Sequence, residues 1–299
     1  MRIVETVKKP FYILRFSLFI AILMAMLSCH RSSPMSEMNA VYYWRTEWQL
    51  DSTERAFLDT YHINKVYCRY FDVVMDAAKG PMPNATIAFV QTPPADLEIV
   101  PTVFITEDCM HEHHDGLAAK LVKRILQMND TRDIHGVREI QIDCDYTDRS
   151  RHFFYDFLEE VRRETDRHGL RLSATIRLHQ LSMAPPPIDY GVLMLYNTGD
   201  PRRFQERNPV LDQRDVQPYV RRLDAYDLPL AAAYPIYLWQ RRIYGVHVEH
   251  RVEADEIREV KQIVEHHRPE LSRTIILYHL DSNNINRYTP SDYETFYHH

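Results

Sequence analysis

Apolar and polar residues alternate in eight separate runs along this chain, and most of these runs are followed by a stretch where apolar residues return every three or four positions. The first period marks β-strands and the second amphipathic helices. Residues 41–48 read as the first strand, and Asp51 with Glu54 forms a capping box that opens a helix through Tyr61. Residues 65–74 make a second strand and 98–106 a third. The fourth is centred on Ile140, Ile142 and Cys144, which alternate with Gln141, Asp143 and Asp145. Strands five to eight fall at 171–179, 190–197, 228–239 (running into a loop) and 273–280.

Helical spacing appears at Leu117, Leu121, Val122 and Ile125, and again over 149–168, where Gly169 stops the run. It returns at Val216, Val220 and Leu223, and at Ile257, Val260 and Val264, while Thr289 and Pro290 open a last short helix. Two gaps break the rhythm. Gly80, Pro81, Pro83, Pro93 and Pro94 forbid a helix after strand two, leaving at most a short extra strand at 86–91, and Pro185, Pro186 and Pro187 follow strand five. Strands alternating with helices predict an α/β fold, a single irregular (β/α)8 TIM barrel over residues 41–299, with no internal repeat and no second domain.

The N-terminus departs from this pattern. Arg2, Lys8, Lys9 and Arg15 precede an apolar run at 16–27, too short for a comfortable membrane span and suited to a signal peptide over residues 1–28. The run ends in Ser28-Cys29, similar to a bacterial lipobox, so Cys29 is the expected lipidation site and residues 29–40 the tether. The alternative is a secreted protein in which Cys29 is incidental. The expected location is the bacterial cell envelope, facing the periplasm or the cell surface, with the membrane reached through the lipid alone.

The chain carries 36 basic and 42 acidic side chains, and removing residues 1–28 leaves 32 and 41, a net charge of −9. A negative surface argues against nucleic acid as a partner. Cys68, Cys109 and Cys144 are odd in number and lack CxxC spacing, which excludes a disulfide framework; Cys68 and Cys144 fall inside apolar strands. A monomer is expected, with no cofactor.

In such a barrel the C-terminal ends of the strands converge on one mouth, where chemistry is placed. That mouth would collect Trp44 and Glu47, Arg69 and Asp72, Asp143 and Asp145, and Arg177 and His179. Tyr196 and Asn197, Tyr237 and Trp239, and Asp281 complete it. Aromatic rings interleaved with acids suit a sugar-binding cleft, because rings stack on C–H faces while carboxylates hold hydroxyls and move protons. The alternative is that the acids cap the following helix, and that Arg45, Arg69 and Arg177 neutralise Asp72, Asp143 and Asp145.

Four segments carry a resemblance. Asp143-Cys144-Asp145-Tyr146 resembles the strand-four segment of chitinase-type (family 18-like) glycoside hydrolases, whose alternating acids end in the proton donor. Met194-Leu195-Tyr196-Asn197 is similar to their strand-six Met-x-Tyr-Asp, Pro235-Ile236-Tyr237 to their strand-seven Pro-x-Tyr, and the segment through Tyr278 and His279 to their strand eight with its aromatic floor. The chain also resembles an uncharacterised family of bacterial lipoproteins. The resemblance implies Asp145 as general acid, its pKa raised by Asp143 and by burial, with Tyr196 orienting the substrate or the acetamido group that serves these enzymes as internal nucleophile. Three positions depart: the family donor is Glu and here is Asp145, the strand-six Asp is Asn197, and the strand-eight Trp is His279.

One further cluster, residues 108–115, packs His111, His113 and His114 among acids. It lacks HExxH spacing, so a solvated loop with Asp115 capping the next helix is expected, and no metal. No GxSxG, Walker or GxGxxG pattern occurs. These readings converge on a glycoside hydrolase-like lipoprotein acting on a glycan or oligosaccharide, with a non-catalytic glycan-binding or structural envelope protein as the alternative.

Overall fold

The computed structural model describes residues 37–298, apart from 201, 203–205 and 244–245. The signal peptide, Cys29 and the tether up to residue 36 lie outside the described residues. Eight parallel strands close into a barrel: β1 (Met38–Tyr43), β3 (Lys65–Asp76), β6 (Glu98–Ile105), β7 (Glu139–Cys144), β8 (Arg171–Ile176), β9 (Tyr190–Met194), β10 (Leu230–Pro235) and β13 (Thr274–Tyr278). Each pairs with the next in chain order, and β1 closes the ring by pairing with both β13 and β3. Helices α1 (Ser52–Thr60), α2 (Leu117–Thr131), α3 (Arg151–Arg167), α4 (Gln213–Val220) and α5 (Ala254–His267) fill most crossovers, and α6 (Ser282–Ile285) and α7 (Pro290–Phe296) follow the last strand.

Strand alternation sorts the core into two layers. Outward side chains such as Val66, Ile140, Ile142, Leu172 and Ile275 pack under the helices. Inward ones, among them Tyr42, Tyr67, Tyr190, Met194, Ala231, Ala233 and Ile276, fill the barrel itself. Ala231 and Ala233 of β10 share this interior with the bulky rings of Tyr42, Tyr67 and Tyr190, small side chains packing among large ones. Local chemistry sets the helix ends. Asp51 and Glu54 form the capping box of α1, Thr289 and Asp292 that of α7, and Gly169, at φ 64°, ends the α3 region.

The irregular gaps hold their own small elements. After β3 the chain turns back as β4 (Gly80–Asn84), antiparallel to the end of β3, where the prolines leave no room for a helix. Beyond it β5 (Ala88–Phe89) pairs with β2 (Glu47–Trp48). The β8 crossover carries only a 3-10 turn, Leu178–Ser182.

Four expectations shift. The tether does not extend to residue 40, because Met38–Ala40 already pairs with Thr274–Ile276. The first strand ends at Tyr43, and residues 47–48 belong to the separate β2 ladder. The loop after strand seven is a hairpin, β11 (Trp239–Ile243) with β12 (Val246–His250). Asp115 does not cap α2: Gly116 occupies that position at φ 70°, a conformation costly for a side-chain-bearing residue, and Asp115 meets His113 instead.

Candidate active site at the barrel mouth

The inward face of β7 presents Glu139, Gln141 and Asp143 in turn along the barrel axis, and all three are buried. The first two are enclosed by partners. Glu139 meets Lys65 Nζ at 2.6 Å and accepts from Ser173 Oγ at 2.6 Å and the Tyr190 hydroxyl at 2.5 Å. Gln141 Oε1 accepts from the Tyr42 hydroxyl at 2.8 Å. Asp143, next up the axis, is 3% exposed and accepts one short hydrogen bond, from Thr175 Oγ1 at 2.6 Å.

Burial pushes the Asp143 carboxyl up to about 6 from an ordinary 3.8; the Arg177 charge opposes this, and the Asp145 and Asp72 charges add to it. Asp145 lies just past the strand end, its side chain 49% exposed, with Arg177 Nε on its Oδ1. The burial expected for Asp145 therefore falls on Asp143, because the strand ends at Cys144 and the next residue leaves the barrel. Burial lowers the Arg177 pKa, but the Asp143 and Asp145 charges outweigh it and hold the guanidinium above its usual range.

Aromatic rings floor the mouth. Tyr196 and Tyr278 stack with centroids 4.4 Å apart and planes 22° apart. Trp44, Tyr42 and Tyr237 surround Tyr278 at 5.8, 5.5 and 5.6 Å. The Tyr196 hydroxyl is buried with no hydrogen-bond partner among the described residues, and burial with the neighbouring Tyr42, Tyr278 and Asp143 charges raises its pKa. The Tyr226 and Tyr234 hydroxyls are unpartnered among the described residues too; Tyr196 differs in standing beside the acids at the strand ends. Asn197 adopts φ 53°, which Asn tolerates better than most residues, and its Oδ1 accepts from the Tyr237 hydroxyl at 2.6 Å.

The remaining expected residues divide by place. Arg69 holds Asp72 through Nε at 2.8 Å and through a second nitrogen, and its guanidinium lies 5.7 Å from the Trp44 ring centre. The arginine–aspartate neutralisation anticipated from the sequence is thus present for Asp72 and Asp145. Asp281 caps α6 by accepting from the Asn283 N–H, with Arg45 at 3.8 Å. His179 sits on the 3-10 turn, exposed, its ring nitrogen 3.4 Å from the Tyr146 carbonyl. Glu47 is exposed on the β2 ladder, and Trp239 is on the hairpin beside His250 at 5.5 Å.

Strand eight is corrected: the ring in the floor is Tyr278, whereas His279 lies beside it, half-buried and accepting from Asn284. Inward and outward alternation along β13 distinguishes the two, a signal already present in the sequence. Tyr42 was likewise overlooked, since it precedes the strand end. Among the described residues no group of His, Cys, Asp or Glu is arranged to hold a metal ion.

Beyond the mouth, Glu107 joins the loops after β6 and β7. It accepts from Ser150 at 2.6 Å and Thr147 at 2.9 Å and pairs with His111 at 2.7 Å; these bonds outweigh burial and hold its carboxyl below the usual range. The loop that follows Asp145 is thereby fixed, beside a hollow of about 710 Å³. A larger hollow, about 1010 Å³, lies between α4 and α5 on the outer wall, away from the acids.

No family profile matches this chain, and no curated protein matches it. Solved structures do. A chitinase from Chromobacterium violaceum has a TM-score of 0.52 at 14% identity, over 84% of this chain and 97% of its own. The spore cortex-lytic enzyme SleL of Bacillus cereus has 0.55 at 12%, over 88% and 74%. Catalytic domain 2 of the Ostrinia furnacalis Group II chitinase has 0.53 at 10%, over 88% and 96%. At such low identity the likeness is one of fold: the chain is a TIM barrel of distant chitinase-like architecture.

Proposed function

We propose that this chain is a lipid-anchored envelope protein that acts on a glycan at the mouth of its barrel, hydrolysing a glycosidic bond. The observation that carries this reading is the Asp143–Asp145 pair, which rises at the end of β7 beside a stacked Tyr196–Tyr278 floor whose buried hydroxyl has no partner. The solved neighbours are named chitinases and a cortex-lytic enzyme, and one Ostrinia domain was solved with penta-N-acetylchitooctaose, which supports a glycan as partner. Asp145, protonated from solvent once it parts from Arg177, gives that proton to the leaving oxygen, and water that adds to the anomeric carbon returns a proton to it. Asp143 stabilises the positive charge that develops on the sugar, and Tyr196 orients the unit through its hydroxyl. Trp44, Tyr237 and Trp239 supply stacking faces, and Arg69 and Asp72 the rim. The protein works as a monomer, without nucleic acid, held to the membrane through Cys29.

A second reading keeps the glycan and drops the cleavage. It is favoured by the Arg177–Asp145 pair together with the short donor, since losing one methylene retracts the acid from a bond it must reach. Incubation with a panel of oligosaccharides, followed by product analysis, separates the two. Hydrolysis that falls by about a hundredfold or more in Asp145→Asn supports the enzyme, in line with the usual contribution of general acid catalysis. Hydrolysis unchanged in that variant removes Asp145 from the mechanism, and retention without products selects the second reading.

A further inference from the structure

Strands β7 and β8 pair only as far as Ile142 opposite Ala174, in a register that, continued, would set Asp145 opposite Arg177. The acid and the guanidinium that meet at the mouth thus lie past the end of the ladder that aligns their strands. One side chain spans this gap. Gln180, wholly buried on the 3-10 turn after β8, accepts from the Arg177 N–H through Oε1 at 2.8 Å. Its Nε2 donates to the Tyr146 carbonyl at 3.0 Å and to the Cys144 carbonyl at 3.4 Å, the two that flank Asp145. Reversing the amide would set its oxygen against two carbonyls, so the three contacts allow one orientation. The exposed ring of His179 reaches the same Tyr146 carbonyl at 3.4 Å. The far side of the loop is held separately, by Glu107 on Thr147 and Ser150 and by the Tyr146 ring stacked on Phe154 at 4.7 Å.

We propose that Gln180 is a positioning residue of the mouth: its amide fastens the backbone on either side of Asp145 to the backbone of Arg177, and so sets the acid against its guanidinium partner. This rests on Asp145 being the proton donor and names what holds it in place. Half of the side chain has a simpler role. Arg177 and Gln180 form a capping box on the 3-10 turn, and that box uses only the amide oxygen. The nitrogen takes no part in it and reaches across to β7 instead. Such a bridge bears on rate through placement, because a donor must come within hydrogen-bond reach of the leaving oxygen. Asp145, with a single methylene, cannot recover by rotation what its backbone loses. The same bridge keeps the Arg177 guanidinium within reach when the pair parts.

Gln180→Glu separates the bridge from the cap. A carboxylate still accepts from the Arg177 N–H, as glutamate does in capping boxes, but it offers no donor to the Cys144 and Tyr146 carbonyls. Gln180→Met keeps the length and loses all three contacts. Ser182→Ala loosens the same turn, where the Ser182 hydroxyl donates to the His179 carbonyl at 2.6 Å, and leaves the bridge intact.

Proton–nitrogen NMR of the arginine-labelled protein reads the pair directly, with no sugar present. Bonded to Asp145, the Arg177 Nε–H should exchange with water about tenfold or more slower than that of an exposed arginine, and its loss in Arg177→Lys assigns it. That protection should vanish in Gln180→Met and Gln180→Glu and remain in Ser182→Ala. On an oligosaccharide that the unaltered protein cleaves, kcat should fall in both Gln180 variants by up to about a hundredfold, as a misplacement of about 1 Å warrants, with KM unchanged. In an Asp145→Ala background, replacing Gln180 should cost nothing more. If Gln180→Glu fails to fold, Gln180→Met read against Ser182→Ala still decides. An unprotected Arg177 in the unaltered protein, or protection kept in Gln180→Glu, overturns the bridge and leaves Gln180 a cap. So does an equal loss in Ser182→Ala. A kcat loss of the same size in both backgrounds overturns action through Asp145. If the unaltered protein cleaves nothing, the donor reading falls, while the arginine signal still shows whether Gln180 sets the pair.

Discussion

Two carboxylates on one face of one strand have opposite surroundings. Glu139, at the N-terminal end of the barrel, is wholly buried and meets Lys65, Ser173 and Tyr190, with Tyr67 bonded to Tyr190 behind it. Asp143, four residues on, is nearly as buried but has one hydroxyl donor and shares one arginine's charge with Asp145. Burial alone thus does not separate structural from functional acids. The completeness of the partner set does: a closed network fixes the barrel, and an open one awaits something from outside.

The sharpest way to break the comparison is at the closed end. Glu139→Gln leaves the Lys65 ammonium in the interior with only Glu98, at 3.5 Å and itself partly exposed, as a charged partner. Removing one member of a buried pair costs roughly 3–5 kcal/mol. Urea unfolding should show a loss of that order, with Lys65 and Arg171 facing an NH2 donor where the second carboxylate oxygen stood, while Ser173 and Tyr190 keep the amide oxygen as acceptor. A loss below about 1 kcal/mol would mean that Glu139 is no better supported than Asp143.

At the open end the sign reverses. A carboxyl whose folded pKa is raised above its unfolded value contributes stability below the unfolded pKa, and that contribution is lost as pH rises through the folded one. For Asp143 the window runs from 3.8 to about 6, so ionisation costs up to about 3 kcal/mol by pH 7. Asp143→Asn removes this penalty. Relative to the unaltered protein, its stability should rise across that window and level off above it. Unfolding measured at several pH values checks this; parallel curves would show that Asp143 is already compensated.

Most of the barrel was legible from periodicity, because strands buried on one side by helices and on the other by the barrel interior keep apolar runs even where polar residues point inward. The capping boxes at Asp51 and Thr289 could be read for the same local reason. The Lys65–Glu139 pair could not. Both residues open their strands and read as polar edges, and only the register that brings β3 and β7 to one axis puts them together. The mouth was legible as a set of strand ends, and Asp143, Asp145, Arg177 and Tyr196 do meet there. The split in their exposure was not, since it turns on where β7 stops. Nor was the β11–β12 hairpin: Gln240, Arg241 and Arg242 carry no apolar alternation, and its stability rests on cross-strand pairing instead.

The gentlest test compares two tyrosines on the inner face of the barrel. The Tyr190 hydroxyl donates to Glu139 and lies 2.6 Å from the Tyr67 hydroxyl and 3.3 Å from Lys65 Nζ. Tyr190→Phe therefore strips a buried acid of a donor and should cost about 1–2 kcal/mol. The Tyr196 hydroxyl has no such partner, so Tyr196→Phe should be neutral or stabilise by up to about 1 kcal/mol, because an unsatisfied polar group leaves the interior. Urea midpoints for the two variants, read against one another, isolate the difference. If hydroxyl removal costs the same at both positions, the Tyr196 hydroxyl is already satisfied in the free protein, and the mouth is as closed a network as the floor beneath it.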